Sequence, residues 1–257
     1  MERSSEQRVG RRRDDELRVF GLNACLAVFR ARPDDVRKVY LLRDRLGELR
    51  QVLAFCAARR IGYRVVETED LRKLTGSQHH EGVCFDVHQP EPRLLSRFLD
   101  AQPAGSAQLV WLDGVGNPHN LGAVLRSAAH FSVAAVLVPA GGGALLSGAA
   151  CRVAEGGAEF VPVIPMRDAE ASATLLAAAG FQLVAAMPLK GSDVFSAALP
   201  DRMVWVFGAE QSGVSESALA RCSQRCSIPG SGTVESLNIA NAAAVLMAEW
   251  RRRHPPA

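Results

Sequence analysis

The 257-residue chain has no run of about eighteen apolar residues, the length that a helix needs to cross a bilayer. Its first twenty residues, MERSSEQRVGRRRDDELRVF, lack the apolar stretch of a signal peptide. Both absences argue against secretion or membrane insertion, so we predict a cytoplasmic protein. The length suffices for two ordinary domains whose hydrophobic cores need no disulfide bonds.

Cysteine is sparse, and its spacing matches neither a zinc site nor a disulfide framework. The six cysteines lie scattered in apolar segments: Cys25, Cys56, Cys84, Cys151, Cys222 and Cys226. We predict that all six are reduced core residues. Cys222 and Cys226, with His254 downstream, form only a weak metal-ligand pattern because no second close ligand pair exists. No metal is therefore predicted.

Two phosphate-binding signatures are also missing. The segment GVGNPHNLG has the wrong glycine spacing for the dinucleotide fingerprint GxGxxG, and the phosphate loop GxxxxGK[ST] does not occur. We therefore expect a ligand that is not held mainly by its phosphates.

Excess charge is small, with a formal net charge of +3, but arginine is clustered at two places. One cluster is Arg11, Arg12 and Arg13, and the other is residues 251–253. Such blocks often bind phosphate backbones. A solvated tail is the better explanation of either cluster when it is considered alone.

The hydrophobic pattern divides the chain into two α/β units. Over residues 17–87 it reads helix, strand, helix, strand, helix and a last strand. A proline-bearing stretch with one short helix, QPEPRLLSRFLDAQPAGSA, follows. We predict a basic tail at 1–15, a first domain at 16–89, a linker at 90–105 and a second domain at 106–257.

In the second unit, continuous apolar runs such as QLVWLD, AAVLVP, VPVIP, FQLVAAMP and MVWVFGAE alternate with helical segments. Strands of this kind are buried on both faces, which indicates a mostly parallel sheet between two helix layers. Ligands of such sheets bind at the carboxyl ends of the strands. Glycine pairs follow several of these strands, so we expect the binding site there.

Polar side chains stand in three of these strand-end segments. DGVGNPHNLGAVLRSAAHF carries Asn120 and Arg126, WVFGAEQSGVSES carries Glu210, and IPGSGTVESLNIANAA carries Ser236 and Asn238. Each residue also has a structural explanation: helix N-caps for the Asn and Ser residues, a surface ion pair for the arginine, and a first-turn acid for the glutamate.

Together and in this order, the three segments closely resemble the SpoU family, also called the TrmH family, of RNA ribose 2′-O-methyltransferases in the SPOUT superfamily. NPHNLGAVLRSA looks like motif 1, VFGAEQSGVS like motif 2 and IPGSGTVESLNIANAA like motif 3. More loosely, VFGLNACLAVF and GSQHHEGVCF are similar to the L30e-like substrate-binding domain of the family. The resemblance implies a parallel-sheet α/β domain with a trefoil knot, preceded by a small L30e-like α/β domain.

The resemblance also implies S-adenosylmethionine as the cofactor, rRNA or tRNA as the substrate, and a homodimer whose sites draw on both subunits. The catalytic positions carried over are Arg126, Asn120, Glu210, Ser236 and Asn238. The cofactor-binding positions carried over are Gly208, Ala209, Glu210, Ile228, Gly230, Ser236, Leu237 and Asn238.

Two positions depart from the common family pattern. Ala240 stands where serine is frequent, and Gly230 stands where methionine is frequent. Neither change removes a charged group, so the expected effect is confined to cofactor affinity.

Several alternatives remain open at this stage. Arg126 is either the proton acceptor that the family proposal names or a cation that grips phosphate and stabilises the alkoxide, since a guanidinium stays protonated. Glu210 could orient Arg126 or Asn120. His79 and His80 are predicted to be an exposed loop pair that is either solvated or in contact with RNA. The apolar helix AAAVLMAEW suits a dimer interface or the core of one subunit. Rival functions are a catalytically inactive RNA-binding or ribosome-assembly protein and a base methyltransferase.

Overall fold

The computed structural model describes residues 16–89, 91–141 and 146–255. The basic tail predicted at 1–15 lies outside the described residues. In the first unit the strands are β1 Glu16–Phe20, β2 Val36–Leu41, β3 Gly62–Val65 and β4 Val83–His88. Its helices are α1 Leu22–Ala31, α2 Arg50–Arg59 and α3 Thr68–Thr75.

The sheet of the first unit has the order β1-β4-β2-β3. β4 lies antiparallel to β1 and to β2, while β2 and β3 are parallel. The sequence pattern missed β1, because its charged residues at positions 16 and 18 alternate with apolar ones and only one face is buried. The pattern predicts a helix over LGELRQVLAFCAARR, which starts at Leu46. Helix α2 begins four residues later, at Arg50.

Residues 90–105, predicted as a linker with one short helix, contain α4 Leu95–Asp100. The helix is amphipathic, and it buries Leu95, Phe98 and Leu99 against the larger unit. The segment therefore contributes to the core of the second unit, although the domain bounds themselves stay a prediction.

The second unit contains the strands β5 Ala107–Asp113, β6 Val136–Pro139, β7 Val163–Met166, β8 Gln182–Ala186, β9 Ser192–Asp193, β10 Arg202–Gly208 and β11 Gln224–Ser227. Its helices are α5 Pro118–His130, α6 Gly148–Ala154, α7 Ala169–Ala178, α8 Glu216–Leu219 and α9 Ile239–Arg253. The strand order is β7-β6-β5-β10-β8-β11-β9, and every pairing described is parallel. The predicted α/β class with a parallel sheet is confirmed.

Burial on both faces of the sheet has a direct cause in the strand sequences. In β10, Trp205 packs into one hydrophobic core and Val206 into the other, because successive side chains point to opposite faces. In the neighbouring β5, Val110 and Trp111 alternate in the same way, in register with those two residues. The sheet therefore separates two apolar layers, as the continuous runs predict.

Two elements of the second unit differ from the sequence pattern. The sequence LSGAACRVAEGGAEF predicts one helix over 146–160, but the helix ends at Ala154. It ends there because Glu155 and Gly156 adopt positive φ angles of 52° and 93°. A short 3-10 turn at Gly157–Glu159 follows. The two-residue strand β9 is too short to give a periodic signal.

Helix α9 packs within this one chain. Its apolar face, which includes Ala243, Leu246, Met247 and Trp250, is at most 2 % exposed. Of the two explanations open at the sequence level, core packing therefore accounts for this face. The knot implied for this last segment stays a prediction from the family resemblance.

The two units make close contact through α6. A Cβ atom on Gly148 would lie 2.4 Å from the carbonyl oxygen of Arg18 in β1. Arg32 donates two hydrogen bonds to Glu159, at 2.7 and 3.1 Å, from one unit to the other. Cys151 of α6 is buried among core residues of the first unit. These contacts fix how the first unit stands against α5 and α6.

Candidate active site

Three of the predicted site residues form one hydrogen-bonded chain at the carboxyl ends of β5 and β10. The Asn238 Nδ2 atom donates to Asn120 Oδ1 at 3.2 Å. The Asn120 Nδ2 atom donates in turn to the Glu210 carboxylate. Asn120 is 9 % exposed, whereas Glu210 is exposed. Residues from the three motif segments are thus joined, and Glu210 orients Asn120 rather than Arg126.

Each asparagine occupies its position for an identifiable local reason. Asn238 is the N-cap of α9, where its Oδ1 atom accepts from the Ala240 amide at 2.8 Å. The N-cap of α5 is Asn117, which accepts from the His119 amide at 2.9 Å. The prediction that Asn120 opens this helix is therefore wrong. Asn120 lies within the first turn, and its amide is free to bridge the other two segments.

The loop after β10 is held tight by glycine. A Cβ atom on Gly208 would lie 1.9 Å from the Gly213 carbonyl carbon, a distance that no side chain tolerates. Gly213 has a φ of 69°, and its amide donates to the Ala209 carbonyl at 2.8 Å. The Ser215 amide donates to the Asp113 carboxylate at 2.8 Å, which fastens this loop to the end of β5. The backbone around Glu210 is thereby fixed.

The loop between β11 and α9 is open. Ile228 packs against the core at one end, whereas residues 230–238 are exposed. Val234 and Leu237 expose 71 % and 48 % of their surface, and a side chain on Gly230 would meet nothing. Ser236 is also exposed and has no hydrogen bond with the described residues. Ser236 is thus not a helix cap, and the loop has apolar surface available for a ligand.

Within this chain, Arg126 does not lie beside the other predicted site residues. It follows Asn120 by six positions in α5, which places it about 9 Å farther along the axis and roughly 120° around it. The side chain is exposed, and among the described residues its guanidinium has no hydrogen bond or ion pair. The surface ion pair considered for it is therefore absent from the part of the chain that the structure describes.

Two models of known families match the chain. The model described as "SpoU rRNA Methylase family" matches residues 107–248, more than half of the chain. The chain belongs to this family. A second model, "RNA 2'-O ribose methyltransferase substrate binding", matches residues 18–93. The three motif segments that resemble this family therefore lie in the matched part.

Two curated relatives align with almost the whole chain. "Uncharacterized tRNA/rRNA methyltransferase YfiF" of Escherichia coli O157:H7 is 37 % identical over 95 % of this chain and 70 % of its own length. "23S rRNA (guanosine-2'-O-)-methyltransferase RlmB" of Nitrosomonas europaea is 31 % identical over 92 % of this chain and 91 % of its own length.

The fold is shared with solved members of the family. The SpoU methyltransferase AviRb from Streptomyces viridochromogenes, solved with AdoMet, superposes with a TM-score of 0.79. The alignment covers 98 % of this chain and 94 % of that one at 21 % identity, so it shows the likeness of the fold.

Of the two loop histidines outside the hydrogen-bonded site, one differs from its prediction. His79 is exposed as expected, but His80 is only 4 % exposed, and its Nδ1 atom accepts from the Gly82 amide at 3.1 Å. Burial lowers the pKa of His80, so the ring is neutral at physiological pH. The expectation that both histidines are exposed is wrong because the chain turns back at Glu81 and Gly82, both with positive φ.

The cysteines are nearly all core residues. Five are buried, and Cys222 has intermediate exposure. Burial raises the pKa of Cys151 to about 12, so the thiol stays protonated and unreactive. His254 stacks on Trp250 and bonds to Asp201. Among the described residues, no group of three or more His, Cys, Asp or Glu side chains could hold a metal ion.

None of the described helices is long and apolar enough to span a membrane.

The sequence pattern missed two residues that shape the site, Asp113 and Asn117. Both follow β5 directly, in the segment WLDGVGNP. A polar residue just before the proline that opens a helix is a known N-cap signal, which could have identified Asn117. Asp113 has no such signal, because its partner Ser215 is more than a hundred residues away in the sequence.

Proposed function

We propose that this protein is an S-adenosylmethionine-dependent methyltransferase that methylates a ribose 2′-hydroxyl of rRNA or tRNA. The observation that carries the proposal is the chain of hydrogen bonds through Asn238, Asn120 and Glu210. It joins the three segments that resemble the family motifs at one edge of a parallel sheet, where ligands of such folds bind. Membership of the family and the names of the aligned relatives support the same reaction.

The loops at this edge fit the proposed cofactor. The loop of residues 208–214 presents backbone groups in a fixed arrangement, because Gly208 admits no side chain. The loop of residues 228–238 offers the exposed apolar surface of Val234 and Leu237, next to the polar Ser236. A ligand with an aromatic base, a ribose and an amino-acid tail needs both kinds of surface. Gly208, Ala209, Glu210, Ile228, Gly230, Ser236, Leu237 and Asn238 are the proposed contacts.

The cofactor supplies an electrophilic methyl group on a sulfonium. The work of the protein is to hold the ribose hydroxyl in line with that group, since orientation alone can contribute roughly 7 to 11 kcal/mol to catalysis. Glu210 fixes the Asn120 amide, and Asn238 fixes it from the other side. A guanidinium is a poor proton acceptor, so the role we assign to Arg126 is to bind a substrate phosphate and to stabilise the negative charge that develops on the ribose oxygen.

The separation of Arg126 from the other three residues supports a homodimer with shared sites. Arg126 projects from another side of α5 than Asn120, and no described residue pairs with it. A two-fold dimer would allow Arg126 of one protomer to serve the Asn120, Glu210 and Asn238 group of its partner. One face of α9 is buried within the chain, whereas Ala244, Val245 and Ala248 on another face are only partly buried, and that face is available for a dimer contact.

The division of labour follows from the two units. We propose that residues 16–89 bind RNA, that residues 90–105 link the two units, and that residues 106–257 catalyse the methyl transfer. The family model for residues 18–93 is named for substrate binding, which supports the first assignment. Action on ribosomal or transfer RNA would place the protein in the cytoplasm.

The test is product analysis after incubation with labelled S-adenosylmethionine and deproteinised ribosomal or transfer RNA. We expect a 2′-O-methylated nucleoside after digestion. A base-methylated nucleoside would identify a base methyltransferase, and no labelled product with any RNA would favour an RNA-binding or assembly protein. Either result contradicts the proposal.

Arg126 gives the sharper form of this test. We expect Arg126→Ala to lower single-turnover methylation by about 10² to 10³, the cost of a lost transition-state donor. Arg126→Lys should stay strongly impaired because it loses the planar fork. Arg167→Ala is the matched control, since Arg167 is also exposed but follows the outer strand β7, two strands away from β5. Normal turnover of Arg126→Ala, with cofactor binding and melting temperature unchanged, would rule out the assigned role.

A further inference from the structure

A cleft of about 560 Å³ lies where the two units meet, outside the hydrogen-bonded site. Its walls come from α1, the second half of α5 and the turn after α6. The residues that matter for its chemistry are Asn23, Arg126, His130, Phe131, Glu155 and Phe160. Both units contribute, so the cleft exists only in the assembled chain.

Phe160 presents its ring to the solvent at this cleft. The side chain is 72 % exposed, the largest exposure among the large apolar residues of the described chain. The backbone that carries it is nonetheless fixed, because a Cβ atom on Gly157 would lie 2.7 Å from the Leu125 carbonyl oxygen. On the α5 side of the cleft, the rings of His130 and Phe131 meet edge to face at 4.8 Å. The cleft thus contains an exposed aromatic ring that follows a backbone turn packed against α5.

Arg126 is the group of the cleft that can pair with an anion. The carboxylate of Glu159, next to Phe160, is held by two hydrogen bonds from Arg32. The carboxylate of Glu155 accepts from Asn23 Nδ2 at 2.6 Å. Arg126 has no such partner in the described chain. Glu159 is therefore paired with a cation, whereas Glu155 keeps its charge and is oriented by the neutral Asn23 amide. Among the described residues that line the cleft, Arg126 is the unpaired cation that a ligand meets.

We propose that this cleft binds one nucleotide of the RNA next to the target nucleotide, with its base stacked on Phe160 and its phosphate paired with Arg126. An exposed aromatic ring beside a guanidinium is the combination that binds unpaired nucleotides, because every base has a π face and every linkage carries a charge. The nucleotide flanks the target because Arg126, which acts on the target ribose in the proposed reaction, also lines this cleft. The proposal rests on the proposed function and adds a second contact to it.

The test compares the wild type with Phe160→Ala, Phe160→Leu and Phe160→Trp. The probes are a fluorescein-labelled decauridine and an abasic decamer with the same number of phosphates. We expect the alanine and leucine variants to bind decauridine roughly 5- to 140-fold more weakly, the loss of one base stack. Phe160→Trp should retain affinity. All four proteins should bind the abasic decamer alike, because only stacking has changed.

Three results would overturn the proposal. The first is decauridine affinity that is equal in the wild type and in Phe160→Ala. The second is an equal loss for the abasic decamer, which would indicate a general disturbance. The third is a sedimentation coefficient that falls in Phe160→Ala and Phe160→Leu without a change in decauridine affinity, because a second copy of the chain would then cover the ring.

Failure of this proposal can be distinguished from failure of the proposed function. If the wild type forms a 2′-O-methyl product and Phe160→Ala forms it with unchanged KM and kcat, only the flanking contact is wrong. If the wild type forms no such product but Phe160→Ala still loses decauridine affinity, the cleft binds RNA and the proposed reaction is wrong.

Discussion

At the scale of single residues, the site depends on a glycine, which has no side chain, as much as on its polar side chains. Asn120, Glu210 and Asn238 supply the polar contacts, and all three were identified from the sequence. The geometry beneath them rests on Gly208, against which the backbone of Gly213 and Val214 folds within 2.2 Å of an added Cβ atom. The sequence marks this glycine as the end of a strand, and the family resemblance marks it as a cofactor-binding position, but neither indicates the close approach, because it involves backbone atoms.

Gly208→Ala should therefore disrupt the loop around Glu210. The added methyl group overlaps backbone atoms, so the loop must move by an ångström or more. A displacement of that size in a site that works by orientation costs about 10²-fold in rate. We expect weaker binding of S-adenosylmethionine by calorimetry and a similar loss of methylation.

Gly47→Ala is the matched control, because a Cβ atom at Gly47 meets no other atom within 4 Å. The circular dichroism of both variants should match the wild type, since the change at Gly208 is confined to a loop. Undiminished cofactor binding in Gly208→Ala would mean that this loop is not the cofactor loop.

At the scale of elements, the arginine cluster at residues 251–253 has a structural role that the sequence did not indicate. Arg253 donates to the carbonyl oxygens of Val194, Phe195 and Ala197 in the segment between β8 and β10. Glu249, one turn earlier in α9, holds both Arg252 and Arg253. The end of α9 is therefore fastened to a loop. Of this cluster, Arg253 is neither a solvated tail nor free to bind phosphate.

The hydrogen bonds from Arg252 and Arg253 lower the pKa of Glu249 to about 2. A carboxylate with a lowered pKa stabilises the fold above its unfolded value and loses that contribution as the pH falls through the folded value. We expect Glu249→Gln to lose roughly 1.5 to 3 kcal/mol of unfolding free energy at pH 7, the worth of hydrogen bonds to a charged group. The difference from the wild type should shrink between about pH 4.5 and 2.

Urea unfolding at several pH values measures this difference. Glu170→Gln is the control, because the Glu170 side chain is 77 % exposed in its pair with Arg221 and such pairs contribute about 0 to 1 kcal/mol. A Glu249→Gln deficit that stays constant down to pH 2 would show that the lost contribution is not the ionised carboxylate.

At the scale of the whole molecule, the arrangement of site residues predicts complementation between inactive chains. Suppose that Arg126 of one protomer serves the Asn120, Glu210 and Asn238 group of its partner. A dimer of Arg126→Ala with Asn238→Ala then has one intact site and one doubly altered site. After random exchange of equal amounts, half of the dimers are mixed, so about a quarter of the wild-type activity should return.

The measurement is methylation by the mixture against each variant alone, after dissociation and reassociation of the subunits. As a control, Arg126→Ala should be mixed with Arg126→Lys, because those two chains cannot restore an intact site in any combination. No recovery in the first mixture, with subunit exchange demonstrated by sedimentation of a tagged chain, would place the complete site within one protomer.

The sequence by itself determined the two α/β units, the parallel sheet and the three polar segments at strand ends. These features follow from local information: apolar runs such as QLVWLD and MVWVFGAE define strands buried on both faces, and glycine with Asn, Glu or Ser marks where they end. Asn238 as a cap and Glu210 beside the turn are local features of the same kind.

Only the tertiary structure decided which of these residues meet. That Glu210 holds Asn120 and that Arg253 binds a loop between two strands depend on contacts across tens of residues. Residue spacing along one helix gives the direction of a side chain but not its neighbours from other elements. Those neighbours are set when the sheet order brings β10 beside β5 and packs α6 against the first unit.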